Sequence, residues 1–230
     1  MNENADIGNV IAIDGPAGSG KSTISKMVAH RVGLPMLDTG AMYRAVTCAV
    51  LRAGGDVHDA EGATASAERA EIVVDERVTI NGDDVTTEIR GPEVSANVSI
   101  VATHPGVRRR LRGLQREWMA RRGGGVLEGR DIGTVVLPDA PLKIYLTASP
   151  EVRARRRAGD DLGDFDLEAA AANIAERDRI DSTRADSPLR PADDAVIVDT
   201  SDLTIEQVVD RIVAEAEARG LGRVARKEPS

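Results

Sequence analysis

Aromatic side chains are nearly missing from this 230-residue chain: one Phe, two Tyr and one Trp make up 2% of it. Modules that stack single-stranded nucleic-acid bases on several rings therefore have almost nothing to build with, and a planar ligand must be held by hydrogen bonds, charges and aliphatic walls. A single cysteine, Cys48, excludes an intramolecular disulfide, and three scattered histidines (His30, His58, His104) offer no zinc-type spacing. No apolar run reaches the roughly 18 residues of a membrane span. The polar, acidic start Met-Asn-Glu-Asn-Ala-Asp lacks the basic-then-apolar layout of a secretion signal, so a cytoplasmic location is expected. A net charge of −8 argues against nucleic-acid binding through the overall field. Lysine is scarce too: of 30 basic residues only four are Lys, leaving 26 Arg. Compositional bias and a dedicated set of forked phosphate or carboxylate contacts both account for such an excess, and the placement of the arginines has to separate them.

What is present reads as alternating strands and helices. Val10–Asp14 is a short apolar run ending at a glycine-rich stretch, and Ser22–Val32 continues as a helix. Pro35–Leu37, Gly124–Leu127, Leu142–Thr147 and Val196–Val198 read as further strands. Helices are expected over Ala41–Arg52, Pro92–Thr103, Pro105–Arg122, Pro150–Arg157, Leu167–Asp181 and Thr204–Ala218. Asn81-Gly82 between β-branched runs marks a hairpin, so Glu71–Arg90 is expected to form a small antiparallel insertion. Almost wholly apolar strands alternating with helices imply an α/β fold, a parallel sheet covered on both faces.

One segment carries chemistry by itself. Gly15-Pro16-Ala17-Gly18-Ser19-Gly20-Lys21-Ser22 fits the phosphate-binding pattern G-x-x-x-x-G-K-[ST] and lies between the strand and the helix that the pattern requires. Its glycines let several backbone N–H groups converge on phosphate oxygens, and the start of the following helix adds positive field. Lys21 is placed to reach the β- and γ-phosphates and the Ser22 hydroxyl to ligate Mg²⁺, so a nucleoside triphosphate is expected. No Asn-Lys-x-Asp segment is available to read guanine, and no strand ends in the acidic pair of a motor ATPase. Arginines crowd three downstream elements instead: Arg108, Arg109, Arg110, Arg112 and Arg116; then Arg153, Arg155, Arg156 and Arg157; then Arg177, Arg179 and Arg184.

Four segments, in order and with compatible spacing from about Val10 to Arg219, resemble the bacterial cytidylate kinase family: Asp14–Thr23, Leu37–Arg44, Glu128–Val136, and Glu176-Arg-Asp with Asp181 and Arg184-Ala185. The Gly-Arg-Asp-Ile-Gly-Thr-Val-Val stretch is the most specific of them. The resemblance implies transfer of the ATP γ-phosphoryl to CMP or dCMP by an ATP- and Mg²⁺-dependent enzyme. It implies a three-layer P-loop fold with a short lid; a monomer is expected because no long apolar surface pattern is visible, and the charge and composition above predict neither a nucleic-acid nor a membrane partner. One domain would span residues 6–219. Its core would comprise 6–60, 106–153 and 164–219, with a monophosphate-binding insertion over 61–105, a lid over 154–163 and a tail over 220–230.

Residue by residue, the resemblance assigns ATP to Gly15, Pro16, Ala17, Gly18, Ser19, Gly20, Lys21, Ser22 and Thr23, with Ser22 at the metal. Thr39 would lie beside the pyrimidine, and Ser99, Arg108 and Asp131 would address the cytosine edge. Arg44, Arg130 and Arg184 would hold the CMP phosphate, and Arg177 and Asp181 would meet phosphate and sugar. Lys21 with Arg153 and Arg157, one turn apart on one helix and just before Ala158–Gly163, would act on the transferring phosphoryl. Glu128 stands where relatives commonly carry Asp. Competing readings are a uridylate, adenylate or shikimate-type kinase of the same fold, and a nucleotide-binding switch or nucleic-acid-associated regulator using the Arg108–Arg122 helix.

Overall fold

The computed structural model describes residues 8–160 and 167–222; residues 161–163 of the expected lid and 223–230 of the expected tail lie outside them. Five strands form an all-parallel sheet: β1 (Val10–Asp14), β2 (Met36–Asp38), β6 (Gly125–Gly129), β7 (Leu142–Thr147) and β8 (Val196–Asp199), in the order β2-β6-β1-β7-β8. Every residue of β1 and β6 is buried, as strands covered on both faces must be. Two cores follow from this layering. On one face α1 (Lys21–Val32) and α8 (Ile205–Ala218) cover the sheet through Ile24, Val28, Val209 and Ile212. On the other, Met42, Leu111 and Trp118 belong to the core built by α2 (Thr39–Arg52), α3 (Ala60–Arg69), α4 (Pro92–Val101) and α5 (Pro105–Arg122).

The insertion is present as a second, three-stranded antiparallel sheet: β3 (Ile72–Val74), β4 (Val78–Ile80) and β5 (Asp83–Asp84). Asn81 (φ 51°) and Gly82 (φ 89°) supply the paired left-handed torsions of its tight turn. The small sheet shares its core with the large one, since Val74, Val78, Ile80 and Ile89 belong to the same buried cluster as Leu37 and Leu127.

Several boundaries move for identifiable reasons. Helix α2 begins at Thr39 rather than Ala41, because the Asp38 carboxylate accepts the Ala41 N–H at 2.9 Å and caps the helix two residues early. Strand β6 extends to Gly129, past the expected end at Leu127, because Glu128 is buried in the sheet beside Asp38 of β2. Helix α3 was not expected: its buried residues are only Ala63 and Ala67, too small to register as an apolar stripe, although Asp59 caps it. Those small residues let α5 approach closely; a Cβ at Gly106 would lie 2.3 Å from the Thr64 hydroxyl. A single π-helical turn over Ile132–Val136 was also unforeseen. Helix α6 (Pro150–Asp160) runs three residues beyond the expected end at Arg157, into the stretch read as a lid. Helix α7 (Leu167–Thr183) completes the set.

Candidate functional site: a phosphate cleft joined to a polar recess

Strands β1, β6 and β2 all end at the same edge of the sheet, where loops following parallel strands gather ligands. The loop from Gly15 to Gly20 leaves β1 there. Gly15 (φ 154°) is indispensable, because a Cβ would lie 2.1 Å from the Leu146 carbonyl oxygen, and Gly20 (φ 85°) turns the chain into α1. Beyond this loop opens a cleft of about 480 Å³, lined by Ala17–Thr23, Asp38, Glu128 and a ring of arginines.

Lys21 is buried and folds back, its Nζ donating to the Pro16 carbonyl at 2.7 Å and reaching the Ser19 Oγ at 3.4 Å. Burial and the nearby Arg130 lower its pKa, opposed by Glu128 and Asp14. An incoming anion would reverse that shift. The Ser22 hydroxyl donates to Glu128 Oε1 at 2.7 Å, and the buried Glu128 carboxyl group also lies against the Asp38 side chain. Burial first, then the Asp38 carboxylate on the adjacent strand, raise the Glu128 pKa.

Five arginines face this cleft: Arg44, Arg90, Arg130, Arg157 and Arg177. Arg44 donates to the Ile89 carbonyl (2.9 Å) and Ser95 Oγ (2.8 Å), and the buried Arg177 Nε has no partner. Burial lowers both to about 10, so both remain cations at neutral pH. With Lys21 they outnumber the carboxylates of Asp38 and Glu128, which suits a polyphosphate.

A narrower recess of about 70 Å³ opens off the cleft, shared through Gly40, Arg44, Gly129, Arg130 and Arg177. All nine residues assigned to the acceptor line it: Thr39, Arg44, Ser99, Arg108, Arg130, Asp131, Arg177, Asp181 and Arg184. Arg108, with a side chain 1% exposed, donates through Nη2 to Asp131 Oδ2 at 2.6 Å and through Nη1 to the Ala102 carbonyl at 3.2 Å, and lies over the Tyr43 ring at 5.6 Å. Arg184 Nη2 approaches Asp131 Oδ1 at 3.5 Å, and its Nη1 approaches Asp181 Oδ1 at 3.4 Å. Asp181 also takes the Arg130 Nε at 2.9 Å. Burial alone would raise the Asp181 pKa, but Arg130 and Arg184 outweigh it and hold it below the ordinary carboxylate value. The Thr39 hydroxyl is committed to the Glu128 carbonyl at 2.6 Å.

Arg153 and Arg157 were expected to share a task, but the structure separates them. Arg157 lines the cleft, whereas Arg153 lies against the loop, donating to the carbonyls of Ala17 and Ala148 and to Asp178. Residues four apart on a helix differ by only about 40°. Their fates diverge through height along α6, whose start abuts Gly18. Of the other clustered arginines, Arg112 pairs with Asp186 at 2.9 Å, Arg156 with Thr200, and Arg179 with Glu176 at the surface.

Sequence reasoning assigns no role to five charged or hydroxyl residues that line or support the site, Asp38, Arg90, Ser95, Glu128 and Asp14. Asp38 and Asp14 stand inside recognisable segments, but Arg90 and Ser95 carry no local signal. Asp14, fully buried, accepts the N–H groups of Ile132 (2.9 Å) and Gly133 (2.8 Å), so the residue before the phosphate loop anchors the turn that follows Arg130 and Asp131.

Comparisons with known proteins agree with this geometry. The family model described as cytidylate kinase matches residues 11–218. A cytidylate kinase of Mycolicibacterium paratuberculosis is 56% identical over 212 residues, covering 88% of this chain and 92% of the relative. Those of Pelotomaculum thermopropionicum and Corynebacterium glutamicum are 51% and 49% identical, covering 90% and 92% of this chain and 96% and 95% of their own. Among solved structures, an uncharacterised protein from Eubacterium ventriosum (TM-score 0.54, 11% identity, 91% of this chain and 99% of that one) shares the fold. So does a Thermus thermophilus protein (TM-score 0.52, 19% identity, 93% and 98%). Because identity near one half is sustained over nine-tenths of the chain and takes in both the cleft and the recess, the chain belongs to the cytidylate kinase family.

Proposed function

We propose that this chain transfers the γ-phosphoryl group of ATP to the phosphate of CMP or dCMP, giving CDP or dCDP and ADP. The observation that carries this reading is the recess joined to the phosphate loop and lined by Asp131, Arg108, Ser99 and Arg184. Cytosine presents an exocyclic amine donor beside the N3 and O2 acceptors. A carboxylate receives the amine, and Arg or Ser donates to the acceptors. Uracil reverses the donor pattern at that edge and leaves Asp131 facing an acceptor. An unpaired buried polar group costs about 1–3 kcal/mol, or roughly tenfold to hundredfold in preference.

The nucleophile is a phosphate oxygen of the acceptor, largely ionised near neutral pH because its second pKa lies near ~6, so no side chain has to remove a proton. The chain's work is alignment and charge neutralisation. Arg44, Arg130 and Arg177 face the space shared by cleft and recess, where the acceptor phosphate would meet the donor. Lys21 and Arg157 also line the cleft, which supports a role for them at the transferring group and for loop amides from Gly18 to Thr23 at the donor phosphates. The Ser22 hydroxyl and the Glu128 carboxyl group beside it offer oxygen donors of the hard kind that would hold Mg²⁺, which binds through one or two protein oxygens plus phosphates. When bound, Mg²⁺ would neutralise phosphate charge. No helix among the described residues is long and apolar enough to cross a membrane; in this reading the enzyme acts as a cytoplasmic monomer.

ADP production measured with CMP, dCMP, UMP, AMP and shikimate under limiting ATP tests the assignment. CMP and dCMP should lead, and preference for any other acceptor overturns it.

A further inference from the structure

The phosphate loop is held from the acceptor side by a carboxylate that the donor and acceptor chemistry leaves unused. Asp178 lies on α7 between Arg177 and Asp181. Its Oδ1 accepts the Ala17 N–H at 3.3 Å, and its Oδ2 accepts Nη1 of Arg153 from α6. The same Nη1 donates to the Ala17 carbonyl at 3.2 Å, so loop backbone, guanidinium and carboxylate close a ring across three elements. Gly18 lies flush on Arg153, since a Cβ there would come within 2.9 Å of the Arg153 carbonyl oxygen. With side chains only 11% and 23% exposed, Arg153 and Asp178 are shielded from the water that weakens surface pairs.

Helix α7 makes this ring consequential. Successive helical residues point about 100° apart, which lets Arg177 face the cleft while its neighbour Asp178 faces the loop. One turn further, Asp181 holds Arg130 and Arg184. Any shift of the loop relative to α7 is therefore a shift of donor relative to acceptor.

We propose that Asp178 is a positioning residue which, with Arg153, brackets the donor loop to the acceptor helix and sets the separation between the γ-phosphoryl and the attacking phosphate oxygen. The proposal rests on the phosphoryl-transfer reading above and deepens it. It also gives Arg153 a task different from contact with the transferring group. Reacting atoms must approach to about 3–3.5 Å, and a misplacement of about 1 Å costs about a hundredfold in rate.

A latch would use the same atoms differently, with Asp178 parking Arg153 until ATP draws it away. The two readings differ in sign. Asp178→Asn in the full chain, assayed with whichever monophosphate the unsubstituted protein turns over, should lower kcat by about tenfold or more. The acceptor Kd, measured by calorimetry without ATP, should stay within about twofold and the binding stoichiometry should stay near that of the unsubstituted protein, a combination that loss of folded protein would not produce. Arg153→Gln should act likewise, and the double variant should be no slower than the slower single variant, because one ring is broken either way. An unchanged or raised kcat in Asp178→Asn overturns the bracket in favour of a latch, and multiplying losses in the double variant overturn it as well. Should Asp178→Asn fail to fold, Asp178→Glu decides. It keeps the charge but lengthens the reach, so a bracket predicts slowed turnover and a latch near-normal turnover. Activity that persists on CMP with kcat intact in the variant defeats the bracket alone, whereas a chain inactive on every monophosphate defeats both readings.

Discussion

At the scale of single residues, Asp131 lines the recess with both oxygens facing cations, Oδ2 paired with Arg108 at 2.6 Å and Oδ1 approached by Arg184 at 3.5 Å. Asp131→Ala removes the amine acceptor and frees two buried cations. It should raise the CMP KM about tenfold to hundredfold and erase most of the preference for CMP over UMP. An unaltered CMP-to-UMP ratio in steady-state kinetics would refute the base-reading role. Asp14 gives a prediction in pH. Burial raises its pKa from 3.8 to about 6, against the two backbone N–H groups that favour the carboxylate. A folded-state value above the unfolded one means that the protonated form is favoured on folding. Its contribution to stability is therefore complete below 3.8 and is lost as pH rises through about 6. Relative to Asp14→Asn, which does not titrate, the wild-type protein should lose about 3 kcal/mol of stability between those limits. Urea midpoints of both proteins across that range check it, and a pH-independent difference contradicts the shift.

Single elements show where chain-local reading works. Helix α5 begins at Pro105 and stops before Gly123 (φ 68°), both legible because a proline start and a left-handed glycine stop are local torsional facts. The π-helical turn after Asp131 was not legible, since its stability comes from elsewhere: Asp14 holds its start, and Arg116 of α5 donates to the carbonyls of Val136 (2.8 Å) and Val135 (2.9 Å). Arg116 is exposed, so its loss should cost only about 1 kcal/mol. Arg116→Ala is therefore expected to lower Tm by about 2–4 °C and to raise the CMP KM a few-fold with kcat nearly unchanged. A fall in kcat with KM unchanged would show that the turn serves the donor. Helix α3 carries no local signal for a related reason: its two buried alanines gain their meaning from α5 and α2, which pack against this helix.

For the whole molecule, the small antiparallel sheet and the large sheet share one buried cluster, which opposes motion of the entire insertion as a separate body. The segment whose polar ties to the cleft an acceptor phosphate would compete for is 88–95, joined to it by Arg44 through Ile89 and Ser95 and by the 3.9 Å approach of Arg90 to Asp38, although Ile89 and Val94 stay anchored in the core. An acceptor phosphate drawing Arg44 away would release it. Hydrogen exchange should show CMP-dependent changes in amide protection concentrated at 88–101, with β3 and β4 little affected. Equal changes throughout 61–105 would instead favour movement of the insertion as one piece.

The chain by itself determined the phosphate loop and the strand and helix on either side of it. Glycine torsions, helix starts and the required strand-loop-helix context depend on near neighbours and are written locally. The nine residues that the resemblance assigns to the acceptor meet in one recess. Only the tertiary structure set Glu128 beside Asp38 on neighbouring strands and turned Arg157 toward the cleft while Arg153 went under the loop. It also joined Asp14 to the turn after Asp131 and Asp178 to Ala17. Each of these depends on which strand lies beside which and where a helix docks. Such matters are settled by burial and long-range packing, to which helical periodicity along one segment is blind.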